Sequence, residues 1–575
     1  MTYLINDSAD FADEALTGMV AAHREHLRTV HGGVARATRT APGEVALVVG
    51  GGSGHYPAFA GWVGPGFAHG AACGNIFASP SASQVYSVCK AAHVGGGILL
   101  GFGNYAGDVL HFGQAAERLR SEGIDVRVVP VTDDIASGPA DDPSIRRGIA
   151  GDLLVYKVAG AAAASGLGLD DVERVTRLAN ERTRSLGFAF SGCSLPGAAE
   201  PLFSVPVGQM SLGLGIHGEP GISEAPIGTA DEIARKLVAQ VLAEAPEGAD
   251  RVAVLFNGLG TVKYEELFVA YGSVATELER AGLTIVDPVV GEQVTSLDMA
   301  GVSLTVLWLT PELEQFWAAP CDTPAFRRGA MVDRAADTER LAEEELADEA
   351  GPLAAVPPAS PQSRRAATRI AAALAAVHQM LVENEAYLGQ IDAVAGDGDH
   401  GIGMVRGARA ADDAARTALA DGAGARTLLS RAADAWAERA GGTSGALWGA
   451  ALSAVAGKLS DEERVDPSLI PTAVRAGVDA IASLGGAEVG DKTMIDAAVP
   501  FRDSLPTQAP SAEEWRSAVT VAMRAAEGTS EFRARRGRSR THAEASIGTP
   551  DPGAISFSLI ADTLTAHITE QKEQP

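Results

Sequence analysis

At 575 residues the chain exceeds the size at which one hydrophobic core stops growing, so two or more domains are expected. Its net charge of −27 repels phosphate backbones and anionic lipid head groups, which argues against nucleic-acid and membrane partners. The composition, 46% hydrophobic and 21% charged, is typical of a folded globular protein and excludes a disordered chain.

The cysteines and the N-terminal segment indicate a cytoplasmic location. The four cysteines are scattered and lack C-x-x-C spacing, which is typical of reduced core residues. The first residues are acidic where a secretory signal would be basic, and no run of about 18 apolar residues is present to span a bilayer. We therefore expect neither export nor membrane insertion.

Residues 1–335 are predicted to form an α/β domain. Short β-branched runs alternate with alanine-rich stretches, a pattern typical of strands buried on both faces. The predicted strands are residues 45–49, 126–131, 252–256, 284–286 and 302–309. The glycine-rich stretch 206–221 interrupts this pattern and predicts an ordered loop, where functional residues are often found.

Three glycine-flanked segments of this domain carry polar side chains. VVGGGSGHYP ends a predicted strand and places His55 directly after Gly54, but it lacks both the third glycine of a dinucleotide fingerprint and the lysine of a P-loop. Asp108 lies in GNYAGD and His217 in GLGIHGEPG. Each segment alone is equally consistent with a structural turn, so only their combination indicates a site.

Residues 336–364 are charged and then proline-rich, which predicts an interdomain linker. Beyond it, apolar residues recur at helical spacing at Ile370, Leu374, Val377 and Leu381, and few strand-like runs follow. Residues 365–575 are therefore predicted to form an all-α domain with glycine-rich loops. Glycines at helix starts let backbone N–H groups approach a phosphate closely.

One of these loops carries Asp392, Asp397 and Asp399. Three carboxylates on a flexible turn suit one or two Mg²⁺ ions, although a solvated acidic turn is the alternative. An EF-hand is a poor match because Gly403 stands where a glutamate is needed. Three further loops, GGTSG, GDKTM and DPG, favour a shared pocket, and Arg538 is the best candidate in the arginine cluster for binding phosphate.

In this order, the motifs resemble those of the dihydroxyacetone kinase family. IDAVAGDGDHGIGMVRG, GGTSGALWG, GDKTMIDAAVP and DPGA resemble its nucleotide-binding domain over residues 365–575. The three N-terminal segments, with NIFASPSASQV, RRGIAGDLLVYKVAGAA and FNGLGTV, resemble its substrate domain over residues 1–330. The resemblance implies an α/β substrate domain and an eight-helix barrel that binds ATP with Mg²⁺.

The same match implies roles for individual residues. Asp392, Asp397 and Asp399 would hold two Mg²⁺ ions. The nucleotide would be lined by His400, Gly401, Ile402, Gly403, Thr443, Ser444, Gly485, Met494, Arg538, Asp551, Pro552 and Gly553.

In the substrate domain, His217 resembles the histidine whose ring nitrogen adds to the ketose carbonyl as a hemiaminal, which glycerol cannot form. Asp108 would accept the proton of the attacking hydroxyl, and His55 would hydrogen-bond the substrate and assist proton transfer. Further substrate contacts would come from Gly52, Ser53 and Gly54.

Three positions depart from the common family pattern. Tyr56 replaces a glutamate, Gly103 replaces a lysine found in some members, and GRSRT replaces GRASY in the arginine loop. Losing a long cationic side chain enlarges and neutralises the substrate pocket, and the HYP spelling resembles that of erythrulose kinases. We therefore expect an ATP-dependent kinase for a terminal hydroxyl of D- or L-erythrulose, with dihydroxyacetone as the alternative.

The resemblance leaves other functions open. A non-catalytic regulatory homologue typically loses metal or histidine positions that this chain keeps. A phosphorylated carrier protein as donor is usual where the two domains are separate chains, whereas here they are fused, and some fused members also cleave flavin dinucleotide. Because substrate and nucleotide sites lie on different domains, one domain must cap the other, within one chain or across an expected homodimer.

Overall fold

The structure is a computed structural model of the whole chain. It describes residues 4–198, 200–219, 221–329, 356–396, 398–506, 510–536, 544 and 546–573. The chain divides into two compact units, Met1–Gly351 and Pro352–Pro575. Residues 336–355 of the predicted linker lie outside the described residues, and a helix begins at Pro361, within the segment 336–364 that was predicted to be linker. Ser360 caps this helix, and Pro361 is tolerated in its first turn. The helix therefore begins before residue 364, where the linker was predicted to end.

The N-terminal unit contains a six-stranded sheet. Its strands are β1 (Leu27–Val30), β2 (Gly33–Arg36), β3 (Ala46–Ser53), β4 (Gly70–Ile76), β5 (Ile98–Gly103) and β6 (Val126–Val131). Their order is β1-β2-β4-β3-β5-β6, with β3 to β6 parallel and the first two strands antiparallel to their neighbours. Leu47 and Val49 pack into one buried cluster, whereas Ala46 and Val48 pack into another. Both faces of β3 are therefore covered, as its continuous apolar run predicts.

A second sheet follows in the same unit. Its strands are β7 (Thr183–Ala189), β8 (Gln209–Leu212), β9 (Ser223–Pro226), β10 (Arg251–Gly258), β11 (Thr284–Ile285), β12 (Val289–Gly291) and β13 (Gly301–Trp308). Their order is β11-β10-β13-β7-β8-β9, and β12 also pairs with β10. Strands β14 (Cys321–Asp322) and β15 (Arg327–Arg328) form a small ribbon. The prediction of a loop over residues 206–221 was wrong at β8, because Met210 and Leu212 bury their side chains and pair this segment with β7.

Helices cover these sheets. They are α1 (Phe11–Ala22), α2 (Ala82–Ala92), α3 (Ala106–Ser121), α4 (Gly151–Ala164), α5 (Leu169–Glu181), α6 (Ala230–Leu242), α7 (Tyr264–Arg280) and α8 (Pro311–Ala318). Short 3₁₀ turns lie at Ala60–Trp62 and Pro143–Ile145. The expected α/β class of this unit is confirmed.

The C-terminal unit is helical throughout its described residues. Its helices are α9 (Pro361–Asp392), α10 (His400–Ala420), α11 (Ala425–Ala440), α12 (Gly442–Ala456), α13 (Ile470–Gly485), α14 (Ile495–Ser504), α15 (Ala512–Gly528) and α16 (Pro552–Glu573), with 3₁₀ turns at Pro467–Leu469 and Thr529–Glu531. Each α-helix packs on the next, and α16 returns to α9, so the eight helices close a ring. This arrangement confirms the expected all-α barrel. No helix in the described parts of the chain is long and apolar enough to cross a membrane.

Candidate functional site

The turn after β3 brings His55 to the carboxyl end of the first sheet. Gly54 has φ of +97°, a conformation that favours glycine. A Cβ at Gly52 would lie 2.8 Å from the backbone nitrogen of Ala78, so the turn also needs a small residue there. The Ser53 hydroxyl donates a hydrogen bond to the Gly74 carbonyl oxygen at 2.6 Å. This turn is therefore a close-packed structure that buries the His55 side chain.

His55 and His217 meet although they are 162 residues apart in the chain, and their Nε2 atoms lie 3.0 Å from each other. His55 Nδ1 lies 2.7 Å from the Thr295 carbonyl oxygen, which can only accept, so this nitrogen carries a proton. His217 Nδ1 lies 3.2 Å from Glu219 Oε1, and the His217 backbone N–H donates to Glu219 Oε2 at 3.0 Å. Both imidazole rings are thus held through Nδ1, with Nε2 directed at the partner ring.

Aromatic side chains enclose this histidine pair. The Phe77 ring stacks on His55 with a centroid separation of 5.0 Å and meets His217 edge-on at 5.3 Å. The Tyr105 ring meets His217 edge-on at 4.7 Å. The Tyr105 hydroxyl is buried and has no hydrogen-bond partner among the described residues. Burial and the neighbouring Glu219 carboxylate raise the pKa of Tyr105 well above its usual value, so the hydroxyl stays neutral.

A chain of charges lies behind His217. Arg147 Nε and Nη2 donate to Asp134 Oδ2 at 2.9 and 2.7 Å, and Arg147 Nη1 lies 3.7 Å from Glu219 Oε2. Burial alone would raise the pKa of Glu219, but His217 and Arg147 together hold it well below its usual value. Burial, followed by the neighbouring His217, lowers the pKa of His55 to about 3. Glu219 is therefore a carboxylate, and His55 resists becoming an imidazolium.

Asp108 lies in the first turn of α3 and is buried. It belongs to an acidic group with Asp133 and Asp152. Burial raises the pKa of Asp152 well above its usual value, and Asp133 and Asp108 raise it further. Burial also raises the pKa of Asp133 to about 6, although hydrogen bonds from Ser185 and from the backbone of residues 149 and 151 act to lower it. Carboxyl groups in this environment bind protons more tightly than usual, which suits proton acceptance.

In the C-terminal unit, Asp392 and His400 connect α9 to α10. Asp392 is the last residue of α9, and its Oδ2 accepts the His400 backbone N–H at 3.2 Å. His400 Nε2 lies 2.9 Å from the Ser556 hydroxyl on α16, which links a third helix to this corner. Asp399 immediately precedes α10, whereas Asp397 lies outside the described residues. Ile402 and Gly403 follow in the first turn of α10.

The glycines of this corner permit close helix contacts. A Cβ at Gly401 would lie 2.2 Å from the Glu385 carbonyl oxygen, and a Cβ at Gly553 would lie 3.4 Å from the Met494 Cβ. Asp551, next to Pro552 at the start of α16, accepts the Ala554 backbone N–H at 2.7 Å. Burial, with the nearby Asp496 and Asp392 carboxylates, raises the pKa of Asp551 to about 7. The aspartate loop, GDKTM and DPG are thereby brought together.

Other predicted nucleotide residues lie farther along the ring of helices. Thr443 and Ser444 lie in the first turn of α12, and Gly485 ends α13, where its Cβ position is 3.4 Å from Leu447 Cδ2 on α12. No hydrogen bond within the described residues joins these three to the aspartate corner. Arg538 lies outside the described residues.

The donors at the aspartate corner fit a hard cation. Asp392 and Asp399 supply carboxylate oxygens, and burial, with the nearby Asp496 and Asp392 carboxylates, raises the pKa of Asp551, so a cation at this corner would offset negative charge. No group of three His, Cys, Asp or Glu residues placed to hold a metal occurs within the described residues, from which Asp397 is missing. The residues present fit Mg²⁺ bound together with nucleotide phosphates.

Sequence reasoning missed several residues around these sites. Glu219 lies two positions after His217 in the same motif, and Arg147 lies in the quoted RRGIAGD segment, so both had a signal that was not used. Phe77 lies in the quoted NIFASPSASQV segment and so also had an unused signal, whereas Thr295 had none. In the helical unit the missed residue is Lys492 of GDKTM, whose buried Nζ donates to the carbonyl oxygens of residues 532, 546 and 549.

Comparisons with known proteins cover almost the whole chain. Residues 17–325 match the Dak1 domain family, and residues 394–566 match the DAK2 domain family. The chain is 58% identical to the L-erythrulose 1-kinase of Mycolicibacterium smegmatis, covering 99% of this chain and 100% of that protein. It is 52% identical to the D-erythrulose kinase of the same organism, covering 99% of both.

Among solved structures, the chain is similar to the dihydroxyacetone kinase from C. freundii in complex with AMP-PNP and Mg²⁺. The TM-score is 0.53 at 29% identity, with 98% of this chain and 99% of that chain covered.

Proposed function

Because this chain belongs to the dihydroxyacetone kinase family, we propose that it transfers a phosphoryl group from ATP to a terminal hydroxyl of erythrulose. It is a kinase of the class that phosphorylates alcohols, and its substrate is a small ketose. The observation that carries the proposal is the contact between His55 and His217, in which two Nε2 atoms face each other at 3.0 Å beside an aromatic wall.

His217 is the proposed anchor for the ketose. Glu219 holds its Nδ1, so the ring presents Nε2 as the atom that attacks the C2 carbonyl. A bond then forms between Nε2 and C2, the carbonyl π electrons move to oxygen, and His55 passes to that oxygen a proton that it has taken from His217 Nε2. A polyol without a carbonyl cannot be held in this way, which explains selection of a ketose over glycerol.

Asp108 is the proposed base for the attacking hydroxyl, since it is buried beside Asp152, whose pKa burial raises well above its usual value and the neighbouring Asp133 and Asp108 raise further. Gly52, Ser53 and Gly54 form the proposed substrate turn beside His55. Because the Ser53 hydroxyl already donates to Gly74, its remaining capacity toward substrate is that of an acceptor.

In the C-terminal unit, Asp392, Asp397 and Asp399 are the proposed holders of Mg²⁺, and Mg²⁺ with ATP supplies the phosphoryl group and neutralises its charge during transfer. The nucleotide-lining set remains the one inferred from the sequence, including Arg538. Burial, with the nearby Asp496 and Asp392, raises the pKa of Asp551 to about 7, and a bound cation would favour its carboxylate form.

Erythrulose is preferred over dihydroxyacetone for two reasons. Two relatives, at 58% and 52% identity, are named for erythrulose, and the more similar of the two is named for the L isomer, which we place first. Some family members have a lysine at the position of Gly103. This chain has no room for that side chain, because even a Cβ at Gly103 would lie 2.9 Å from the Gly148 carbonyl oxygen. The last residue of β5 therefore carries no side chain.

The proposal includes a cytoplasmic homodimer. Four free cysteines, three of them buried, support a reducing compartment. Sedimentation of the purified chain at micromolar concentration measures whether two chains associate.

The test is an ADP-release assay with Mg-ATP and L-erythrulose, D-erythrulose, dihydroxyacetone and glycerol. We expect kcat/KM to be highest for L-erythrulose and glycerol to be inert. Asp392→Asn removes turnover on every ketose, whereas His217→Ala removes ketose binding and leaves nucleotide binding intact. A tenfold preference for dihydroxyacetone would refute the erythrulose assignment, and equal turnover of glycerol would refute carbonyl capture.

A further inference from the structure

The contact between His55 and His217 requires a proton that neither neutral ring supplies. His55 Nδ1 must donate to the Thr295 carbonyl oxygen, and His217 Nδ1 must donate to the Glu219 carboxylate. In neutral imidazoles with these tautomers, both Nε2 atoms carry lone pairs. Two lone pairs at 3.0 Å repel each other, so the observed contact is a hydrogen bond only when one Nε2 is protonated.

We propose that the two histidines hold one shared proton between their Nε2 atoms before the ketose binds, and that Glu219 is the positioning residue that keeps this proton on the His217 side. The inference rests on the proposed function, because it describes how the capture of the ketose begins. It assigns a role to Glu219, Arg147 and Asp134, which the sequence motifs left without one.

The surroundings of the pair favour this arrangement. Glu219 Oε1 lies 3.2 Å from Nδ1 of His217, so the carboxylate lies on the His217 side of the pair. Arg147 fixes Glu219 from the far side and is itself fixed by two hydrogen bonds to Asp134, so the carboxylate cannot rotate freely. The other titratable group that faces the pair, Tyr105, stays neutral. Among the described residues, the hydrogen-bond partner of His55 Nδ1 is the Thr295 carbonyl oxygen, which carries no full charge, so the proton remains nearer to His217.

The shared proton allows the ketose to be captured with no change in the net charge of the site. When the ketose enters, His55 Nε2 accepts the proton from His217 Nε2, which frees the lone pair that forms the bond to C2. The carbonyl π electrons move to oxygen, and His55 returns the proton to that oxygen. His217 ends as an N-substituted imidazolium that keeps its Nδ1 proton beside Glu219, so the net charge of the site is the same before and after capture. A weakly basic His55 suits this role because its protonated form is a strong donor.

The chain offers a matched control. His69, Glu44 and Arg36 form a second buried cluster of the same residue types in the same unit, with His69 Nε2 3.0 Å from Glu44 Oε1. Glu219→Gln and Glu44→Gln therefore remove the same charge from similar pairs, one inside the site and one outside it. Glu219→Asp restores the charge as the conservative variant.

The experiment combines nitrogen NMR of ¹⁵N-histidine-labelled protein without substrate with steady-state kinetics. In the wild-type chain at pH 7 we expect one proton shared by the two Nε2 atoms. In Glu219→Gln we expect that proton to be lost. We also expect kcat/KM for erythrulose to fall at least about tenfold, the factor that corresponds to a change of one unit in proton affinity. Glu44→Gln keeps both the shared-proton signal and kcat/KM, and Glu219→Asp recovers part of each.

Two unprotonated Nε2 atoms in the wild-type spectrum would overturn the inference, whatever the stability of the variants. Wild-type kinetics and an unchanged spectrum in Glu219→Gln would also overturn it, while leaving the kinase proposal intact. Absence of erythrulose turnover in the wild-type chain would instead count against the proposed function, and the spectrum would still decide the proton count.

Discussion

Two clusters of histidine, glutamate and arginine in the N-terminal unit have nearly the same contacts but different surroundings. In the first, His69 Nδ1 accepts the Leu47 backbone N–H at 3.1 Å while Nε2 faces Glu44, so the protein satisfies both ring nitrogens. In the second, His217 faces Glu219 through Nδ1, and its Nε2 meets only another imidazole. The first ring is 1% exposed and the second 10%.

The difference shows that residue types alone do not make a reactive histidine. A buried histidine whose two nitrogens are both engaged by backbone and carboxylate is a structural element. The same triad becomes a candidate nucleophile when its second nitrogen, like His217 Nε2, meets another imidazole beside aromatic rings instead of a backbone N–H. Backbone geometry around the second nitrogen separates the two cases.

Alanine substitution of each histidine has the largest expected effect. His217→Ala lowers kcat/KM for erythrulose at least about a hundredfold, the lower range of what a positioned catalytic group contributes, and changes stability little. His69→Ala leaves a buried carboxylate and a backbone N–H unpaired and lowers the free energy of unfolding by about 2–3 kcal/mol, while activity per folded molecule is kept. Steady-state kinetics of both variants measure the loss of activity, and urea unfolding of both variants measures the loss of stability. Equal activity losses in the two variants would contradict the assignment of one cluster to structure and the other to chemistry.

Acid sensitivity is the next largest expected effect. The folded-state pKa of His55, about 3, lies below its unfolded value near 6.5, so the unfolded chain binds a proton that the folded chain excludes. The stability is fully present above pH 6.5 and falls by about 1.4 kcal/mol per pH unit below it, toward pH 3. Glu219, whose folded pKa is lowered, adds stability that is present above its unfolded pKa and is lost at lower pH.

Hydrogen exchange of the β3 amides between pH 7 and 5, corrected for intrinsic rates, measures this loss. His55→Gln should flatten the dependence. A wild-type protein whose β3 protection is constant over this range would show that His55 is not excluded from protonation by the fold.

The smallest expected effect concerns the neighbour of His55. Tyr56 is 57% exposed, so its side chain contributes little to the buried contacts of the pair. Tyr56→Glu restores the commoner family residue and is expected to change the ratio of kcat/KM between erythrulose and dihydroxyacetone by less than about tenfold, within the usual 1–3 kcal/mol per pocket group. The matched substitution Tyr264→Glu, at another exposed tyrosine, leaves the ratio unchanged. A complete reversal of preference by Tyr56→Glu would make this side chain the main determinant of selectivity.

Much of the architecture was predictable from local patterns. The α/β unit followed from buried strands such as 126–131, whose bounds match the prediction, and the helical unit followed from the apolar stripe of α9. Motifs also identified His55 and His217, which the structure brings together. Strand β8 was missed because a four-residue strand among glycines gains its stability from pairing with β7 and β9.

The contacts that give the histidines their chemistry were not predictable from local sequence. Thr295 meets His55 across 240 residues of chain, and nothing in its own neighbourhood indicates that role. The tautomer of each ring depends on such distant partners. A motif therefore identifies the histidine, but contacts distant in the sequence determine which of its nitrogens reacts.

The most direct test of ketose capture is carbon NMR of L-erythrulose labelled with ¹³C at C2, mixed with excess protein in the absence of ATP. Wild-type protein is expected to convert the carbonyl signal into that of a tetrahedral carbon, and His217→Ala is expected to leave the carbonyl signal unchanged. Glu44→Gln serves as the control and should behave as the wild type. A tightly bound ketose that keeps its carbonyl signal in the wild-type protein would contradict the assignment of His217 as the anchor.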